Sequence, residues 1–137
     1  MLVLTIQGKP MACPRPRATR HGRVYMPNTY MEHKKAISQD LRRAKVLQEW
    51  IHDDETPLKL ELHFLFKRPK NKKGKGTQPE AKTTKPDIDN LTKTIMDTLQ
   101  DAGIIKDDKC IIEIHARKWY ARKGEQSHTN LILEKIR

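Results

Sequence analysis

Between Leu58 and Phe66 the side chains alternate almost without a break, with Leu58, Leu60, Leu62, Phe64 and Phe66 on one side and Lys59, Glu61 and His63 on the other. Leu65 is the one departure. A period of two over this length predicts a strand with one buried face, and such a sheet needs a second layer to cover it. Two helical stripes can supply that layer. Ile37, Leu41, Ala44, Leu47 and Ile51 predict a helix of about five or six turns, capped at Asn28 or Thr29 with Glu32 as the capping-box partner. Leu91, Ile95, Leu99 and Ala102 predict a second, starting at or just after Asp89 and ended by Gly103. Further strands are expected over Leu2 to Ile6, from Cys110 through Ala116 toward Tyr120, and from Thr129 to Ile136, the last two joined as a terminal hairpin around Lys123-Gly124-Glu125-Gln126. The expectation is an α+β fold: one small domain over residues 1–137, with a mixed sheet of about four to five strands and two main helices.

The chain carries 28 Lys and Arg against 17 Asp and Glu, a net charge of +11. Without a long apolar run, that excess suits nucleic acid better than a membrane. The apolar start, Met1 to Ile6, is too brief for a secretory signal, so a cytoplasmic location is expected. Cys13 and Cys110 form no CxxC or His-spaced pattern and read as cytosolic thiols, and the six scattered histidines suggest no zinc site. Two segments concentrate the basic charge. Cys13 to Arg23 has prolines that block a helix and a His21-Gly22 turn, predicting an extended ribbon on which Arg15, Arg17, Arg20 and Arg23 contact phosphates. Residues 68–85 hold hardly an apolar side chain and are expected to be a basic flexible loop, with Lys73, Lys75 and Lys85 as DNA contacts or, in the blander reading, a solvated linker.

Against this background six of the nine aspartates fall between Asp87 and Asp108. Crowded carboxylates repel one another unless something positive holds them. A hard divalent cation with oxygen ligands, facing a polyanionic substrate, meets that need. If Asp87-Ile88-Asp89 is extended, its two carboxylates project to the same side, and Asp108 can approach from the start of the next strand. A cation held there lowers the pKa of its bound water enough for attack on phosphorus. Asp89, Lys93 and Asp97 share one helical face, which places Lys93 to stabilise the transition state. Each residue also has a plainer use: Asp87 or Asp89 as a helix cap, Lys93 and Asp97 as an i,i+4 pair, Asp107-Asp108 as a turn. An EF-hand does not fit, because a loop begun at Asp87 would need Gly near Thr92 and Glu near Thr98.

The run Lys85-Pro86-Asp87-Ile88-Asp89-Asn90-Leu91-Thr92-Lys93, with Asp97, Leu99 and Asp107-Asp108, resembles the signature of RusA-type endodeoxyribonucleases, phage-associated Holliday junction resolvases. The likeness extends more weakly to Pro14-Arg15-Pro16-Arg17, to Gly22-Arg23-Val24-Tyr25 and to the terminal hairpin. It implies a homodimer that binds branched DNA at a four-way junction and makes paired, symmetric nicks with Mg2+, or Mn2+ in its place, serving recombination and repair. By the same likeness the essential carboxylates and metal ligands are Asp87, Asp89 and Asp108, and the catalytic lysine is Lys93. Asp97 and Asp107 match positions of supporting rank. The alternatives are a non-catalytic basic DNA-binding module and a related metal nuclease acting on flaps or other branched substrates.

Overall fold

The alternating run becomes the middle of a five-stranded mixed sheet. In chain order the computed structural model contains β1 (Leu2–Gln7), β2 (Arg17–Ala18), β3 (Val24–Tyr25), α1 (Asn28–Leu47), β4 (Leu58–Phe66), β5 (Glu80–Ala81), α2 (Ile88–Asp101), a 3-10 turn (Asp108–Cys110), β6 (Ile111–Tyr120) and β7 (His128–Lys135). Residues 1–136 are described; Arg137, the last residue of the expected domain, lies outside them. The sheet order is β1-β7-β4-β6-β5, with β2 and β3 as a separate two-stranded ribbon. All pairings in the sheet are antiparallel except β4 with β6. Two helices and a mixed five-stranded sheet make the α+β domain that the sequence led us to expect.

Burial explains why β4 is central. Leu58, Leu60, Leu62, Phe64 and Phe66 are all buried, and Leu65 is buried as well, so one face of this strand is wholly closed to solvent and the other is closed at Leu65. It pairs with β7 on one side and β6 on the other. The expected terminal hairpin is therefore wrong: β4 lies between its two arms. β6 is far more polar, with Ile112 and Ile114 exposed beside Glu113, His115 and Arg117. Such a strand tolerates a position near the sheet edge, and β5 covers it only at Trp119 and Tyr120.

Both helices pack on the sheet face formed by the even-numbered residues of β4. Ile37, Leu41 and Ala44 of α1 join Leu91, Ile95 and Leu99 of α2 in one core with Leu60, Leu62, Leu131 and Leu133. α1 departs from expectation at both ends. Its N-cap is Pro27 with no side-chain cap bond, because proline's fixed φ already suits the turn into the helix. Leu47 and Ile51 are exposed, not part of the stripe. The helix ends at Leu47, and Glu49 takes a left-handed φ of 52°, which turns Trp50 inward to donate its indole N–H to the Ile104 carbonyl at 2.9 Å.

α2 matches its stripe closely. Leu91, Ile95, Leu99 and Ala102 are buried, and Gly103 ends the helix at φ 70°, a conformation that costs glycine nothing. It begins at Ile88, one residue before the expected start, with Asp87 at the N-cap.

Residues 68–85 are more tied down than their composition suggests. The Arg68 guanidinium, nearly buried, donates to Glu80 Oε1 at 2.8 Å and to the Lys73 carbonyl at 2.6 Å. Gly76 packs where a Cβ would lie 2.9 Å from Lys123 Cβ and 3.0 Å from Arg68 Cδ, so only glycine fits. These anchors lie outside the local pattern.

Candidate functional site

The N-terminal loop, the segment after β5 and the end of β6 meet at the start of α2. The N-terminal loop is tethered there by the Cys13 amide, which donates to the Asn90 carbonyl at 3.0 Å. Four residues further on the basic ribbon begins. Arg15, Arg17, Arg20 and Arg23 are exposed on or beside β2 and β3, whose turn closes through the Thr19 amide to the Arg23 carbonyl at 2.7 Å. The approach from the other side is the segment after β5. Here Lys118 donates from Nζ to the carbonyls of Thr84 at 2.6 Å and Pro86 at 2.8 Å. The Lys85–Pro86 bond is cis.

The six clustered aspartates separate into distinct roles. Asp101 pairs with Lys34 at 2.7 Å. Asp107 caps the 3-10 turn, its Oδ1 accepting from the Lys109 amide at 3.0 Å. These two perform ordinary structural work. Asp89, Asp97 and Asp108, by contrast, line a single hollow of about 470 Å3 together with Lys93. Thr92 and Met96 of α2 and Ile114 and Ala116 of β6 line it too. Among the described residues neither these three carboxylates nor Lys93 takes part in an ion pair. Asp89 accepts one hydrogen bond, from the neighbouring Asn90 amide at 2.9 Å. The expected surface pair of Lys93 with Asp97 is absent.

Asp87 stands apart. It is extended at φ −73°, ψ 140°, but the helix begins at the next residue, so the three-residue extended run that would aim Asp87 and Asp89 the same way does not exist. Asp87 lines a second hollow of about 570 Å3 with Lys9, Pro10, Met11, Ala12 and Lys85. Although Asp is a favoured capping residue, its carboxylate makes no cap bond. The plain helix-cap reading of Asp87 therefore fails.

The ligand chemistry suits a hard cation, since the hollow offers carboxylate oxygens and no thiolate or imidazole. Among the described residues no group of three or more Asp, Glu, His and Cys side chains is placed to hold a metal ion between them. Mg2+ needs no such cage, being held by one or two carboxylates with waters and substrate phosphates completing the octahedron.

Comparison with known proteins bears on the same residues. A family model described as Endodeoxyribonuclease RusA matches residues 7–127. The chain belongs to the RusA family. Across that match lie the arginine ribbon, α2 and all the residues of the aspartate hollow. A Bacillus subtilis (strain 168) protein named Uncharacterized protein YqaN is also similar, 28% identical over 137 residues and covering 87% of each chain. RusA membership identifies the chain with a family of DNA-cutting hydrolases.

Several neighbours of the RusA hollow gave no signal in the sequence. Ile114 and Ala116 looked like ordinary strand residues, and only the β4–β6 register, with Leu60 opposite Ile114 and Leu62 opposite Ala116, brings them under α2. Lys73 and Lys75 are exposed on the Lys-rich segment, away from this lining. Tyr120, beside Lys118, has its phenol held below the ordinary range by the Thr84 hydroxyl and by the ammonium groups of Lys82 and Lys72. No helix among the described residues is long and apolar enough to cross a membrane.

Proposed function

We propose that this RusA-family protein is a Mg2+-dependent endodeoxyribonuclease that resolves four-way DNA junctions in the cytoplasm, acting as a homodimer so that two strands are nicked symmetrically. The observation that carries this reading is the set of unpaired carboxylates, Asp89, Asp97 and Asp108, facing Lys93 in one hollow of a chain with charge +11. A basic protein has cations to spare for pairing. Carboxylates left unpaired beside a lysine fit a site kept for a cation and a phosphate.

Asp89 and Asp108, which line the hollow together, are the proposed ligands; Asp87, the third ligand that the resemblance implies, lines the neighbouring hollow and would have to turn toward them to join the cation. A divalent cation held there, Mg2+ or Mn2+, supplies an activated water and charge neutralisation at phosphorus. Lys93 offers its ammonium to the non-bridging oxygens, whose negative charge must be stabilised as the bond breaks. Asp107 holds the 3-10 turn in shape and so orients Asp108, while Asp97, on the same lining, acts as a base or hydrogen-bond acceptor. Arg15, Arg17, Arg20, Arg23, Lys73, Lys75 and Lys85 contact the DNA backbone, neutralising phosphates without reading bases.

A panel of synthetic four-way junction, flap and linear duplex, each incubated with protein and Mg2+, tests the proposal. Paired nicks at symmetric positions in the junction, with slow or no cutting of duplex, are expected. Preferential cutting of the flap, or binding of every substrate with no cutting, contradicts it. Replacing Arg15 and Arg17 together by Gln is expected to weaken junction binding and to flatten its dependence on log salt by about one unit for each phosphate no longer neutralised.

A further inference from the structure

Lys118 sits half-buried on β6, two residues beyond Ala116 of the aspartate hollow. A lysine near a sheet edge ordinarily keeps its head in water. This one turns to the chain just ahead of α2, donating to the carbonyls of Thr84 at 2.6 Å and Pro86 at 2.8 Å. Its own carbonyl accepts from the Lys82 amide at 3.1 Å. Alongside, Lys82 Nζ donates to the Thr84 hydroxyl at 2.6 Å, which stands 3.5 Å from the Tyr120 hydroxyl. Residues 82–86 are thus strapped to the end of β6, chiefly through one ammonium group.

The position of the strap matters because of what β6 joins. Its N-terminal end follows directly from the turn that carries Asp108, and its middle supplies Ile114 and Ala116 to the hollow. Its C-terminal end grips Pro86, the residue before Asp87. Charge-assisted hydrogen bonds to carbonyls are short and stronger than neutral ones, and two from one head define a direction as well as a distance. We propose that Lys118 is a positioning residue that sets Asp87 and Asp89 in register with Asp108. The inference rests on reading the hollow as a nuclease centre. The rival role for Lys118 is direct contact with a DNA phosphate.

Lys118→Met keeps the aliphatic stem and removes the donors; Lys118→Arg keeps donors and charge. On the full chain, three readouts separate the roles: amide hydrogen exchange over residues 83–89, single-turnover cleavage of a four-way junction with Mg2+ at saturating protein, and junction affinity without divalent cation as salt is varied. Positioning predicts that Lys118→Met speeds exchange in that segment by about tenfold with β4 unchanged, and slows cleavage by about tenfold to a hundredfold. Junction affinity and its salt slope stay at wild-type values, and Lys118→Arg recovers exchange protection and cleavage together. Should Lys118→Met loosen β4 as well, the Arg variant decides, since cleavage restored without exchange protection overturns the proposal. Unchanged exchange in Lys118→Met overturns it too, as does a salt slope shallower by about one with full cleavage at saturation, the signature of a phosphate contact. If the wild type cuts no junction, the nuclease reading fails on its own account. Faster exchange in Lys118→Met then still upholds the strap, and unchanged exchange still overturns it.

Discussion

The two flanks of α2 present opposite electrostatics. On the flank turned to α1, Asp101 meets Lys34 at 2.7 Å, Arg42 donates to the Asp101 carbonyl at 3.3 Å, and Lys45 donates to the Gly103 carbonyl at 3.1 Å. On the flank turned to β6, Asp89 and Asp97 share a hollow with Lys93 and Asp108, and no ion pair forms among them. A single helix in a single basic chain therefore has its charges closed on one side and open on the other. The chain has 28 Lys and Arg from which to draw partners, so the open side is not a shortage of cations. Unpaired charges of this kind are the local departures that the proposed functional site would require.

Replacing Asp108 by Asn should have the largest effect. Cleavage is expected to fall by about 10²–10³-fold, the scale of removing one electrostatic contribution to the transition state, with no loss of thermal stability because no folded-state partner is removed. A matching drop in melting temperature would place Asp108 with the structural carboxylates instead. Asp97→Asn sharpens the contrast within the open flank. If it supports the ligands without being one, single-turnover cleavage should drop by about tenfold to a hundredfold, less than for Asp108→Asn.

The closed flank should behave differently. Lys34→Ala removes the Asp101 pair and should cost about 0–1 kcal/mol by denaturant unfolding, as partly exposed ion pairs do, with cleavage unchanged within error. A large loss of cleavage there would erase the distinction between the flanks. Smallest is a pH effect at Glu80, another paired carboxylate. Its hydrogen bond from Arg68 lowers its pKa from the ordinary 4.5, so the pair contributes stability that is present above about pH 4.5 and is lost as pH falls through the lowered value. The difference in melting temperature between wild type and Glu80→Gln should accordingly be visible at pH 7 and shrink below pH 4.5.

Periodicity made much of this molecule readable. The alternation of Leu58 to Phe66 identified the central strand, and the spacing of Leu91, Ile95 and Leu99 identified α2 together with the shared face of Asp89, Lys93 and Asp97. Periodicity is silent on which strands pair, so it leads to a terminal hairpin where β4 in fact intervenes. It is equally blind to a single backbone angle: the left-handed Glu49 removes Leu47 and Ile51 from the stripe and puts Trp50 in their place. A helix start one residue early was enough to separate Asp87 from Asp89. Lys118 was beyond reach altogether, its partners being backbone carbonyls 34 and 32 residues away that no residue pattern encodes.

The open flank is most directly tested at Asp89, the carboxylate that the first turn of α2 contributes to the hollow. Single-turnover cleavage of a four-way junction in Mg2+ should proceed with the wild type and fall in Asp89→Asn as far as in Asp108→Asn, while the variant binds the junction without divalent cation at least as tightly, a repelling charge having gone. Undiminished cleavage by Asp89→Asn would contradict the account, and the unpaired carboxylates of α2 would then need another explanation.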